Sequence, residues 1–206
     1  MLKRWITHIL GVIIVSMGVA LLISQNKGAQ AWDAASLNLG LKIDVGLAAF
    51  ILNIFVCLIC IIWTRKLKYL LVLANAFAFS LILTPLKDLF LLLPNEGFVS
   101  YIWLFLGIIT IAIGINFLVL AKLIPMPAEA LFVLIHEHLI KHYMMAKIAL
   151  EIAFAIVAVI LGSILGTPFA NLSLFTVIAT VGISLVIHVT NKPLKSIYER
   201  ITPNEN

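Results

Sequence analysis

The sequence predicts an all-α polytopic membrane protein. Six transmembrane helices are expected as two inverted three-span repeats, each with a short interfacial or re-entrant helix after its first span. Three observations predict this. First, charged residues make up 11% of the 206-residue chain and hydrophobic residues 63%, whereas a soluble domain carries roughly 25% charged residues. With a mean hydropathy of +1.17, the apolar side chains exceed what a water-facing globule can bury. Second, six stretches approach the roughly 20 apolar residues that a membrane crossing needs. Third, the pattern of the first half recurs in the second.

The spans are expected at residues 5–24, 45–63, 69–86, 101–121, 143–165 and 170–189. The third and sixth are short. Short helical segments at 33–42 and 127–142 follow the first and fourth spans. Trp5, Trp63, Tyr69, Tyr101, Trp103, Tyr143 and Tyr198 fall near span ends, the headgroup level that Trp and Tyr favour. Trp32 does not fit that pattern. Leu194, Ile197, Tyr198 and Ile201 recur at helical spacing, so 193–201 reads as a short amphipathic helix lying in the interface. The expected organisation is a first half-repeat at 1–94, a second at 95–190 and a tail at 191–206.

Basic residues set orientation, because cytoplasmic loops are enriched in Lys and Arg. With the N-terminus inside, eleven of the fourteen fall on the cytoplasmic side: Lys3, Arg4, Arg65, Lys66, Lys68, Lys122, Lys141, Lys147, Lys192, Lys195 and Arg200. Lys27, Lys42 and Lys87 fall outside. Both termini are therefore expected in the cytoplasm. The net charge of +5 does not point to nucleic acid, since the basic residues flank apolar runs. Lys3-Arg4, the first apolar run and Ala29-Gln30-Ala31 imitate a cleavable signal peptide, but the repeat makes the first span part of the fold.

The repeat is read from identities at slowly growing offsets. Leu10-Gly11 and Gly18 match Leu106-Gly107 and Gly114 at an offset of 96, as do Asp33 with Glu129 and Ala34 with Ala130. Leu52-Asn53-Ile54 matches Leu150-Glu151-Ile152 at 98, and Ser80-Leu81 matches Ser184-Leu185 at 104. Offsets that only grow are what loop insertions produce. Three spans is an odd number, so the second half enters the membrane upside down. Many secondary transporters are built this way, with their sites near the midplane where the halves meet.

Gly28-Ala29-Gln30-Ala31-Trp32-Asp33 after a glycine-spaced first span resembles the G-x-G-P-W-D segment of the YczE/YyaS/YitT-like bacterial membrane proteins. Gly11, Gly18 and Gly28 agree with that pattern. Ala31 stands where the family has proline. The family's G-x-G-T before the third span of each half is replaced by Leu67-Lys68-Tyr69-Leu70 and by Asn171-Leu172-Ser173-Leu174. The resemblance covers nearly the whole chain. It implies a divergent member of a largely uncharacterised family, at the bacterial inner membrane, and implies no activity.

Candidate functional residues are the polar groups at membrane depth. Glu151 lies inside the fifth span, where a carboxylate costs roughly 2.5–3.5 kcal/mol on insertion scales and needs a partner or a cavity. Lys147, four residues earlier, shares its helical face. Asn53, its counterpart in the repeat, and Asn75 and Asn116 are amides inside spans, suited either to interhelical hydrogen bonds or to a shared polar cavity. Asp33 and Glu129 stand in the first turns of the two short helices, where carboxylates satisfy free N–H groups and the helix dipole. Pro127 at a first helical position fits such a start. The pair is alternatively a symmetry-related site for a cation or proton. Trp32 precedes Asp33 and joins the candidates. Gly11 and Gly18, two turns apart, permit close helix packing.

His136-Glu137-His138 and His142 lack the H-E-x-x-H arrangement, and no metal site is expected there. His188 reads as a boundary residue. Cys57 and Cys60 lie mid-span, unlike redox pairs at helix N-termini, and read as small core residues. Without a phosphate loop or nucleophile elbow, no enzyme activity and no cofactor are expected. Three functions compete: a small-solute transporter or permease-like protein with its site between the repeats, a substrate-binding membrane subunit of an energy-coupling-factor importer, and a non-transporting accessory or scaffold protein. The partners expected are the lipid bilayer, a small-molecule or ion substrate, and a second copy or another membrane protein.

Overall fold

The computed structural model describes residues 1–167, 169 and 171–201. Among the described residues eight α-helices follow in order: α1 (Leu2–Ser24), α2 (Ala31–Leu39), α3 (Val45–Thr64), α4 (Val72–Phe90), α5 (Gly97–Ala121), α6 (Pro127–His138), α7 (Tyr143–Ile164) and α8 (Leu174–Ile201). A 3-10 turn at Leu67–Leu71 leads into α4. Among the described residues six helical segments are long and apolar enough to cross a membrane: α1, α3, α4 with its leading turn, α5, α7 and α8. The protein is a polytopic membrane protein of all-α architecture.

Local chemistry sets the ends. Asp44 caps α3 by accepting from the Leu47 N–H at 3.0 Å, and Thr84 on α4 donates to the same carboxylate at 2.8 Å. Two backbone reversals stop spans in the left-handed region, Arg65 after α3 and Lys122 after α5, at φ 55° and 50°. Arg4 covers the carbonyls left open at the end of α5, with Nε on Ala121 O at 2.9 Å and Nη2 on Lys122 O at 2.8 Å. The guanidinium neutralises the negative end of that helix. It also shows that α1 and α5 run antiparallel.

The two first spans form the centre. Gly18 abuts Gly107 and Ile111, and Gly114 abuts Gly11 and Val15. These are one contact written twice, because the repeat relates Gly11 to Gly107 and Gly18 to Gly114. A Cβ on Gly18 would stand 2.7 Å from the Ile111 nitrogen and 2.9 Å from the Gly107 oxygen, and one on Gly114 would stand 2.7 Å from the Val15 nitrogen. Small residues let backbones touch where no hydrophobic effect drives helices together.

The remaining helices follow the same two-fold logic. α4 packs on α1 as α8 packs on α5, and α2 crosses to α7 as α6 crosses to α3. Each short helix therefore docks on a span of the opposite half. Basic residues gather on one face. Arg4 reaches the Lys122 turn, and His8 on α1 meets Asn75 near the start of α4. The Trp63 ring at the end of α3 lies 6.1 Å from the His138 ring at the end of α6.

Several boundaries differ from the sequence expectation. The first short helix runs Ala31–Leu39 rather than 33–42, because the chain turns at Gly40. The second short helix ends at His138 rather than 142, because Lys141 Nζ donates to Glu137 O and His142 Nδ1 accepts from Met145 N, starting α7. α4 runs on to Phe90, so Lys87 sits in its last turn rather than in a loop. The tail helix is not separate: α8 continues through Pro193 to Ile201. Ala170 and residues 202–206 lie outside the described residues.

Candidate functional site

α2 and α6 are re-entrant rather than interfacial. Asn53 lies eight residues into α3, and Glu151 eight residues into α7 from the opposite face, about 12 Å along each helix. In a hydrocarbon core about 30 Å thick both are near the middle. α2 reaches both. Trp32 Nε1 donates to Asn53 Oδ1 at 3.1 Å, and the Trp32 ring packs on Phe154 with centroids 4.3 Å apart. Farther along α2, Asn38 Nδ2 donates to Ala158 O at 2.7 Å and its Oδ1 accepts from Asn171. These bonds pin a short helix against the opposite half at depth. Irregular backbone is tolerated at membrane depth only where protein or a cavity surrounds it.

α6 arrives from the other face. Asn75 Nδ2 donates to Ile124 O at 2.7 Å and Pro125 O at 3.2 Å, inside the membrane edge, holding the strand of chain that leads inward. Pro127 then opens the helix without leaving an unpaired N–H. Ala31 from the first turn of α2 and Ala130 from the first turn of α6 share one buried cluster with Val56, Cys57, Leu150 and Phe154. The two half-helices point their N-terminal ends at each other.

Each carries its carboxylate there. Lys147 Nζ is 3.0 Å from Glu151 Oε1, with Glu151 14% exposed. Asp33 is in electrostatic reach of both Glu151 and Glu129, and Glu129 of both Lys147 and Glu151. Three acids and one base from α2, α6 and α7 thus form a single cluster. Gln30 Nε2 donates to Asp33 Oδ2 at 3.3 Å. The Oε2 atoms of Glu129 and Glu151 are shut off from solvent and have no hydrogen-bond partner. Burial, then the Glu151 and Glu129 charges, outweigh the Gln30 bond and push Asp33 up to about 7. Burial likewise raises Glu129, against the pull of Lys147. A cavity of about 180 Å³ lies between the end of α5 and the chain leading into α6, with Glu129 and Lys122 as its ionisable lining residues.

The structure sorts the expected residues. Asp33, Glu129, Glu151, Lys147, Trp32 and Asn53 come together. Asn75 and Asn116 do not. Asn75 accepts from His8 Nε2 at 2.8 Å while holding the α6 approach, and Asn116 donates to Thr190 Oγ1 at 2.7 Å between α5 and α8. Both are interhelical contacts. Cys57 and Cys60 are buried free thiols in the core. Sequence reasoning missed Gln30, Phe154, His8 and Asn38. Gln30 and Phe154 stand three residues from Asp33 and Glu151, the helical spacing that could have found them.

One family model matches residues 2–192. The chain belongs to the Family of unknown function (DUF6198). The match spans both halves, so the re-entrant pair and the acid cluster lie within the DUF6198 region. No curated protein and no solved structure matches the chain.

Proposed function

We propose that the protein is a small-solute transporter or permease-like protein rather than an enzyme, with its site at Asp33, Glu129 and Glu151 between the two halves. One observation carries this reading: four ionisable groups from three helices of opposite halves converge near mid-membrane. Such groups are costly there, and they mark solute pathways or proton relays far more often than scaffolding. Half-helices facing each other across an inverted repeat are also the construction of midplane transport sites. The basic face, carrying Arg4, Arg65, Lys66 and Lys122, is cytoplasmic in this reading, in a bacterial inner membrane, and the cavity beside Glu129 opens toward it. Kinship with the YczE/YyaS/YitT-like proteins, through Trp32-Asp33 and the spaced glycines, belongs to the same proposal.

The test is solute flux in proteoliposomes, read by osmotic swelling across a panel of small cationic, neutral and anionic solutes. Glu151→Gln is expected to lose the flux that the unaltered protein gives while remaining monodisperse in detergent. Asn116→Leu is expected to keep it. Equal flux in Glu151→Gln would remove the cluster from the pathway.

A further inference from the structure

We infer that the occupant of this site is an organic monovalent cation, an ammonium on an apolar or aromatic body, bound in exchange for a proton carried by Glu129. The inference rests on the transport-site reading and names its substrate class.

Charge balance is the first argument. Lys147 pairs with Glu151, so one positive charge meets one negative. Asp33 and Glu129 are left without a second cation in the cluster. Asp33 has the Gln30 amide as a donor, whereas Glu129 Oε2 has none. A shielded carboxylate oxygen without a donor demands a proton or a cation. The groups facing this cluster from α3 are uncharged: Asn53, which accepts from Trp32, and the thiols of Cys57 and Cys60. None supplies the missing charge. Lys122 of the turn after α5 lines the same cavity as Glu129 but is not among the charges that act on it, which are Lys147 and Glu151.

Geometry then selects the cation. Among the described residues no three His, Cys, Asp or Glu side chains stand where they could hold a metal ion together. The carboxylates are spread wider than one coordination sphere, which suits a larger ion with dispersed charge. The Trp32–Phe154 pair lies one residue from Asp33 and three from Glu151. Aromatic faces attract ammonium groups, most strongly when water is excluded. The wall of the adjoining cavity is apolar apart from Glu129 and Lys122, suiting an apolar body.

The exchange is balanced. The O–H bond of the Glu129 carboxylic acid breaks as the ammonium binds the resulting carboxylate, and one proton leaves through the cavity beside Glu129. Nothing is oxidised or reduced, and the charge of the cluster with its occupant is unchanged. A low-dielectric site tolerates this far better than adding or removing a whole charge.

The experiment uses the full chain in detergent with benzyltrimethylammonium, which has no proton of its own. Titration calorimetry in buffers of differing ionisation heat counts protons released per cation bound. One proton per cation is expected, with affinity weakening about tenfold per unit of falling pH while Glu129 is protonated. Glu129→Gln is expected to abolish the release and flatten the pH dependence. The slope of the unaltered protein tests the exchange even if that variant folds poorly. Binding without proton release, sodium binding more tightly than benzyltrimethylammonium, or no binding of the probe would each overturn the inference. If the probe fails while a neutral or anionic solute still swells proteoliposomes, the transport reading stands alone. If proton-coupled binding occurs but no solute moves, the exchange site stands and transport falls.

Discussion

Asp33 is a carboxylate whose environment favours its protonated form. Burial and two neighbouring acids raise it from an ordinary 3.8 to about 7. The folded chain therefore binds more protons here than the unfolded chain does between those values. Stability falls as pH rises through that window, because the unfolded state ionises freely while the folded state resists. Thermal unfolding in detergent should show the midpoint declining from pH 4 to pH 7, and Asp33→Asn should flatten that decline. Trp32 makes a second residue-scale prediction. Its indole donates to Asn53 at membrane depth, and interhelical hydrogen bonds in membranes average about 0.6 kcal/mol. Trp32→Phe should cost about 1 kcal/mol in denaturant unfolding, the ring contact with Phe154 being kept. Glu151 and Lys147 were legible in the sequence because a charge within an apolar run declares itself. Their distance from Asp33 and Glu129 was not, since no local pattern states which spans a short helix will dock against.

The central element is the α1–α5 crossing, and its glycines divide by what they touch. Gly18 abuts backbone atoms of α5, which cannot yield. A Cβ on Gly182 would meet only the Ile108 side chain, at 3.4 Å or more. Gly18→Ala should therefore destabilise the protein by about 1–3 kcal/mol, as overpacking does, while Gly182→Ala should be nearly neutral. Thermal melts of the two variants in one detergent check this. The spaced glycines made this crossing visible in the sequence, because the offset that relates them also pairs them. The re-entrant geometry of α2 and α6 was less legible. Both segments are short and moderately apolar, so composition fits a helix lying flat as well as one dipping inward. Contacts from Asn38 to α7 and from Asn75 to the chain leading into α6 make the difference. Those contacts join residues far apart in sequence.

At the scale of the molecule, each half supplies a short helix to the other, and the acids meet only because both are in place. The halves were legible from six apolar runs and an odd number of spans per repeat. The meeting of the acids follows from the inversion, which brings α2 and α6 in from opposite faces. The most direct measurement is a cross-link between the halves. Asp33→Cys and Glu129→Cys are combined in a chain with Cys57→Ala and Cys60→Ala, and a protease site is placed in the exposed turn at residues 94–96. A short bifunctional maleimide should hold the two fragments together on a denaturing gel after cleavage. Fragments that separate fully, although each cysteine reacts singly with a maleimide, would show that the two acids belong to opposite surfaces and share no site.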